Sequence, residues 1–289
     1  MIIWAIAKTT FGDAMRKKIL QVFLVVAVGL IILSLSFSQT LSFSTRQGAS
    51  SDLMMLKSMG LGLMAFAGLL ISLVIGVTLI PQEIERRTIY TILAKPVKRY
   101  EFIAGKYLGA VLTLAVTIGL MGVVLVAVLW IKALGAEVPV VSATTGVAGD
   151  PVARATTKVQ AFDVTALLGV ALIYMQFVVL SSVVLLLSVL VTPTVNFFLG
   201  AAVYTVGVMA AVTQSLGQAE KANILLKGFY RALYLVLPNF DKYNITNPII
   251  HPDVNIQIGP HTLKMALYTL LYSLIMMLIG IIVFERKEI

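Results

Sequence analysis

Residues 164–219 read VTALLGVALIYMQFVVLSSVVLLLSVLVTPTVNFFLGAAVYTVGVMAAVTQSLGQA, a run without Asp, Glu, Lys, Arg or His. A helix needs about 20 apolar residues to cross a hydrocarbon core of about 30 Å, so this run is too long for one crossing. Thr192-Pro193-Thr194 stands near its middle. Proline removes a backbone donor and disfavours helix at the residue before it. The run predicts two spans, 165–190 and 195–216, joined by a tight turn at Pro193.

Four more uncharged runs lie outside it: 19–38, 58–80, 107–131 and 265–284. Together they predict an all-α polytopic membrane protein with six transmembrane helices, a single membrane domain over 1–289 without a separate soluble module. The composition agrees. Of 289 residues, 59% are hydrophobic and 12% charged, against about 45–50% and about 25% in soluble domains. Arg16-Lys17-Lys18 precede the first run. That run exceeds a signal-peptide core of about 7–15 residues and has no small-residue cleavage site, so it reads as a retained span.

Basic residues in short flanks set the orientation. Lys8, Arg16, Lys17 and Lys18 precede span one, six Lys or Arg lie between spans two and three, and Arg286 and Lys287 close the chain. With six spans these sets share one side, which puts both termini in the cytoplasm. The excess of 22 Lys+Arg over 13 Asp+Glu is thus a topology signal. It is not a nucleic-acid footprint, since no aromatic-interleaved basic patch occurs.

At the N-terminus, Ile3, Ala7, Phe11 and Met15 recur at helical spacing with Trp4 nearby. This predicts an amphipathic helix lying in the membrane interface; the plainer reading is a charged flank to span one. Residues 132–163, rich in Ala, Val, Thr and Gly, predict an extended outer excursion of no evident chemistry.

The span interiors hold no ionisable residue, whereas ion-coupled transporters commonly keep such groups in the membrane. Neutral polar residues remain: Ser34, Ser36, Thr78, Thr113, Thr117, Gln176, Ser181, Ser182 and Asn196. They are expected mostly to bond between helices, since lipid offers no partner. Close helix approach is expected at Gly60 with Gly62 and at Gly105 with Gly109. Hydrolase and metalloprotease signatures are missing, and His251 and His261 read as solvated loop residues rather than metal ligands. Gly105-Lys106-Tyr107 lacks the upstream glycine and the Ser/Thr of a phosphate-binding loop. The chain is expected to be neither an enzyme nor a holder of metal or cofactor.

The loop between spans two and three carries the most information. Within it, residues 84–93 can form a short helix with Ile89, Ile92 and Leu93 on one face. Glu83 and Glu85 near its start suit the positive end of the helix dipole, and Pro96 follows its end. This is either a handle that a soluble partner grips or an interfacial loop that only obeys charge topology. Further on, Leu225, Phe229, Leu233 and Leu237 form an apolar stripe on an outer helix that Pro238 ends.

The run Glu83-x-Glu85-x-x-Thr88-x-x-x-Leu93-x-x-Pro96-Val97-x-Arg99-x-Glu101-Phe102-x-x-Gly105-Lys106 resembles the region after the second span of type 2 permeases of ATP-binding-cassette (ABC) transporters. It is most similar to the six-span bacterial group that includes the nitrous-oxide-reductase maturation permeases. Arg87 before Thr88, and Lys98 in a place usually held by Ser, depart from that pattern. Residues 232–244, with Leu237-Pro238-Asn239, resemble the element before the last span in the same family.

The resemblance implies the membrane subunit of an ABC exporter. Two permease chains, alike or different, would pair with two cytoplasmic ATPase chains that hold the ATP and Mg, in a bacterial or archaeal plasma membrane. Glu83, Glu85 and Arg86 would make polar contacts with the ATPase, and Ile89 and Tyr90 apolar ones. Pro193 would mark a smaller second contact. Leu225, Phe229, Leu233, Pro238 and Asn239 would form outer re-entrant helices near the exit of the path. The alternatives are a membrane anchor or assembly subunit that moves nothing, and a secondary transporter.

Overall fold

The computed structural model describes residues 2–44, 49–79, 98–135, 137–139, 156–158, 164–210, 234, 237–244 and 258–286. Seven long helices dominate: α1 (Ile2–Arg16), α2 (Lys18–Ser44), α3 (Ala49–Leu79), α4 (Arg99–Gly135), α5 (Val164–Leu190), α6 (Pro193–Val208) and α7 (Ile258–Arg286). Past α4, β1 (Glu137–Pro139) pairs antiparallel with β2 (Thr156–Lys158), Glu137 opposite Lys158. This ladder falls in the stretch expected to be extended. A 3-10 turn, Asp241–Tyr243, precedes α7.

Val-rich α5 has only middling intrinsic helix propensity. In lipid, however, every backbone donor and acceptor must be satisfied within the segment, and that favours the helix. The chain breaks where Pro193 stands. Thr192 is the N-cap of α6 and Pro193 its first helical residue, where the missing N–H would have had no partner anyway.

Among the described residues, five helices are long and apolar enough to cross a membrane: α2, α3, α4, α5 and α7. The described part of α6 has 16 residues. At 1.5 Å per residue that is about 24 Å, short of a full crossing; the rest of the expected fifth span, 211–216, lies outside the described residues.

α5 sits at the centre. Of its apolar window 67% is buried, against 22% for α2 and for α7 at the edges. It packs against α3, α4, α6 and α7. Phe177, Leu180 and Val184 of α5 meet a core with Met64 and Ile71 of α3 and Leu114 and Met121 of α4. Backbones approach closely at small residues. A side chain at Gly60 would run into Leu125, and one at Gly76 into Val184. These contacts make α3 antiparallel to α4 and parallel to α5. The end of α3, the start of α4, the end of α5 and the start of α6 therefore share one end of the bundle, with α1.

Two expectations are corrected. The hydroxyls of Ser34, Thr78, Thr113, Thr117, Ser181 and Ser182 donate to carbonyls three or four residues back in their own helices. A hydroxyl on a helix can reach those carbonyls without leaving its own chain segment, so a partner helix is not required. Bonds between helices come instead from the longer groups. Asn196 Nδ2 donates to the Gly76 carbonyl at 3.5 Å, Tyr107 Oη to that of Val178 at 3.4 Å, and Gln176 pairs with Tyr204.

The second correction concerns which face of α1 is buried. Its buried residues, Ala7, Thr10 and Ala14, face α4 in one of the most extensive helix contacts in the molecule. Trp4, Lys8 and Arg16 stay exposed. The buried stripe is rotated by about one position from Ile3–Ala7–Phe11–Met15, because small residues, rather than the largest apolar ones, permit the close approach.

Candidate functional site

The end of the bundle that holds α1 is built around the start of α4. Lys98 precedes the helix, and its backbone N–H donates to Glu101 Oε2 at 3.1 Å. Glu101 is the third helical residue, so this is half of a capping box. The next turn ties three helices together. Arg99 Nη1 donates to the carbonyls of Phe284 and Glu285, both at 3.3 Å. Phe102 stacks on Phe284 with ring centroids 6.1 Å apart. Lys106 is buried, its Nζ 5.6 Å from the Phe102 ring centre.

Gly105 and Gly109 then receive α1. A Cβ on Gly105 would stand 2.7 Å from Ile6 Cβ and 3.1 Å from the Ile3 carbonyl oxygen; one on Gly109 would stand 2.6 Å from Thr10 Cβ and 3.0 Å from the Ala7 oxygen. Backbone oxygens cannot rotate away, so any side chain here displaces α1. Arg99, Gly105 and Lys106 of the motif after span two thus have intramolecular work, joining α1, α4 and α7.

Segment 80–97 leaves α3 and enters α4 at this same end. Glu83, Glu85, Arg86, Ile89 and Tyr90 lie outside the described residues. Pro193 is described. It stands half-buried at the first position of α6, just after the two-residue turn from α5, flanked by exposed Thr192 and Thr194. One turn into α6, Asn196 is fully buried and reaches Gly76 in the last turn of α3. Its Oδ1 has no partner. The turn expected to be a second partner contact is therefore wired to the helix that leads into the first.

At the opposite end, Leu225, Phe229 and Leu233 lie outside the described residues, while Pro238 and Asn239 are placed. The element docks on the last turns of α6. Phe240 N–H donates to the Gly207 carbonyl at 3.0 Å. A Cβ on Gly207 would stand 2.6 Å from the Pro238 carbonyl oxygen. Asn239 N–H donates to Tyr268 Oη of α7 at 3.3 Å. Tyr243 Oη lies 2.7 Å from Thr269 Oγ1. Thr269 already donates its proton to the Met265 carbonyl, so Tyr243 is the donor. Burial pushes its phenol above the usual range. His261, expected to be a solvated loop residue, sits early in α7 and bonds the Lys242 carbonyl at 2.9 Å through Nε2.

Aromatic rings continue inward from this element: Phe240 lies 5.6 Å from Tyr204, and Tyr204 lies 5.9 Å from Phe177. Beside them a cleft of about 150 Å³ opens between α3, α5, α6 and the 240–244 turn. Sequence reasoning missed it, because its walls come from residues far apart in the chain.

One protein family matches, described as ABC-2 family transporter protein, over residues 4–289. A comparison with curated proteins returns no match.

Proposed function

This chain belongs to the ABC-2 transporter family, and from that premise we propose that it is an exporter permease whose energy enters through segment 80–97. It is a multi-pass membrane protein, the membrane component of an ABC transporter, and membership implies partnership with an ABC ATPase subunit and with the bilayer. Within the family we place it beside the nitrous-oxide-reductase maturation permeases, on the motifs at 83–106 and 237–239. The proposed arrangement has six spans with α6 as the fifth, both termini in the cytoplasm and the plasma membrane as its seat. Two permease chains, alike or different, stand over two ATPase chains that hold the ATP and Mg. This chain itself is no enzyme and holds no cofactor.

One observation carries the coupling proposal. Segment 80–97 is held between α3 and α4, which are packed on each other and on α5 at the end shared with α1. A force applied there acts on a pair of packed helices. Glu83, Glu85, Arg86, Ile89 and Tyr90 are the proposed grip, and Pro193 the second contact, linked to α3 through Asn196 and Gly76. A bundle with two packings would turn that push into a change of access. Leu225, Phe229 and Leu233, with Pro238 and Asn239, would form re-entrant helices at the outer exit.

Reconstitution with the partner ATPase in proteoliposomes tests this reading. ATP-dependent movement of a co-encoded substrate out of the compartment on the ATPase side is the expected result. A complex that hydrolyses ATP but moves nothing would make the chain an anchor or assembly subunit instead. Movement that follows an ion gradient without the ATPase would make it a secondary transporter.

A further inference from the structure

The cleft between α3, α5, α6 and the 240–244 turn has a definite chemistry. Small residues make its volume: Gly62 and Ala65 of α3 and Gly169 of α5. A Cβ built on Gly62 meets nothing within 4 Å, so that wall faces open space. Gly62 and Phe66 lie one turn apart on α3, and Phe66 is 61% exposed. The cleft therefore opens sideways, on an apolar helix face, where a molecule dissolved in the membrane can enter.

None of its lining residues is charged. An ionic group would lose its hydration there without a counter-charge, which is strongly unfavourable. The lining is nevertheless not plain hydrocarbon. Gln176 is 6% exposed and lies on the cleft wall with Tyr204, to which it pairs. A carboxamide has two N–H donors and an oxygen with two lone pairs, so one bond to a phenol does not exhaust it. Tyr243, also on the wall, commits its proton to Thr269 and keeps lone pairs. The rings of Tyr204 and Phe240 supply flat apolar surface. A volume of about 150 Å³ holds a group the size of a six-membered ring.

We propose that this cleft is a binding site for an uncharged, ring-sized group bearing a hydroxyl or carbonyl, delivered from the bilayer and held by the Gln176 carboxamide. The ring fills the space beside Gly62 and stacks near Tyr204 and Phe240. Its polar atom exchanges a hydrogen bond with Gln176. A plain acyl chain fills the same volume but leaves that capacity empty. The site stands whether or not the chain transports what it binds.

The chain contains no cysteine, so one introduced thiol is a clean reporter. Gly62→Cys, in full-length protein in lipid nanodiscs, is modified with the small neutral reagent methyl methanethiosulfonate. Benzyl alcohol and toluene serve as probes of equal ring size. Gly29→Cys on α2, where an added Cβ also meets nothing, reports simple partitioning into lipid. At a concentration ten times its Kd, benzyl alcohol slows modification at Gly62→Cys about tenfold, leaves Gly29→Cys unchanged and outperforms toluene. Adding Gln176→Leu brings benzyl alcohol down to the level of toluene; Gln176→Met serves if the leucine variant is not recovered. Equal slowing at both cysteines, no slowing, or equal protection by the two probes in the Gln176 protein overturns the proposal. The comparison of probes on Gly62→Cys decides it even without the Gln176 variants.

Discussion

Arg99 Nη1 donates to the Phe284 carbonyl oxygen at 3.3 Å, and the guanidinium carbon stands 5.9 Å from the centre of the Phe284 ring. The first residue of α4 thereby closes the last turn of α7, some 185 positions away in the chain. Helix C-termini carry unsatisfied carbonyls and the negative end of the dipole, so a cation there answers both. Arg99→Gln is expected to cost about 1 kcal/mol, the scale of a hydrogen bond in a partly exposed place. Thermal unfolding of the purified protein should fall by about 2–4 °C. Arg99→Lys should recover only part of the loss, since it keeps the charge but not the fork. An unchanged midpoint in Arg99→Gln would show that the clamp contributes nothing.

α1 is held by the absence of side chains on α4. Gly105→Val or Gly109→Val should force it away, at about 1–3 kcal/mol for overpacking. Hydrogen exchange across residues 2–16 should then rise, while Gly29→Val, with open space around it, should leave that exchange as it was. Faster exchange in the control and not in the α4 variants would contradict the packing.

The outer element depends on Gly207 in the same way. Gly207→Ala places a methyl 2.6 Å from the Pro238 carbonyl oxygen and should lift Phe240 off α6. The Phe240 amide, bonded to the Gly207 carbonyl, should lose its exchange protection, whereas the core of α5 should keep its own. Retained protection at Phe240 would mean that the element docks by other contacts.

Tyr243 and Thr269 form a directed pair, with the tyrosine as donor. Thr269→Val strands that hydroxyl in a buried place and should cost about 1–3 kcal/mol. Tyr243→Phe with Thr269→Val should be milder than the sum of the single changes, because Tyr243→Phe removes the hydroxyl that Thr269→Val orphans. Additive losses in thermal unfolding would show the two residues to be independent.

Much of the bundle was legible in the chain itself. Uncharged runs mark the spans, and Pro193 marks the break between α5 and α6, because lipid and proline each leave the backbone few options. The motif after span two and the Leu237-Pro238-Asn239 element pointed to the right family. The docking of α1 was partly legible: Gly105 and Gly109 announce a close approach, but nothing local names α1 as the partner. The hydroxyls of Ser181 and Ser182 misled, since residue type alone does not say whether a donor bonds its own helix or a neighbour. The cleft at Gly62 and Gln176 was invisible, being assembled from α3, α5, α6 and the turn before α7. The clamp at Arg99 was not legible: in the sequence Arg99 is one basic residue of the motif after span two, and nothing local names the carbonyls of Phe284 and Glu285 as its partners.

The central claim is that work done by the ATPase enters through segment 80–97. It is tested most directly by co-purifying the chain with its ATPase, with and without Glu83→Ala, Glu85→Ala and Arg86→Ala together, and measuring both recovery of the complex and its rate of ATP hydrolysis. The triple variant is expected to fold, keep its thermal midpoint, and lose the ATPase or its stimulation. A triple variant that retains the ATPase and stimulates it as the unaltered chain does would show that the work enters elsewhere.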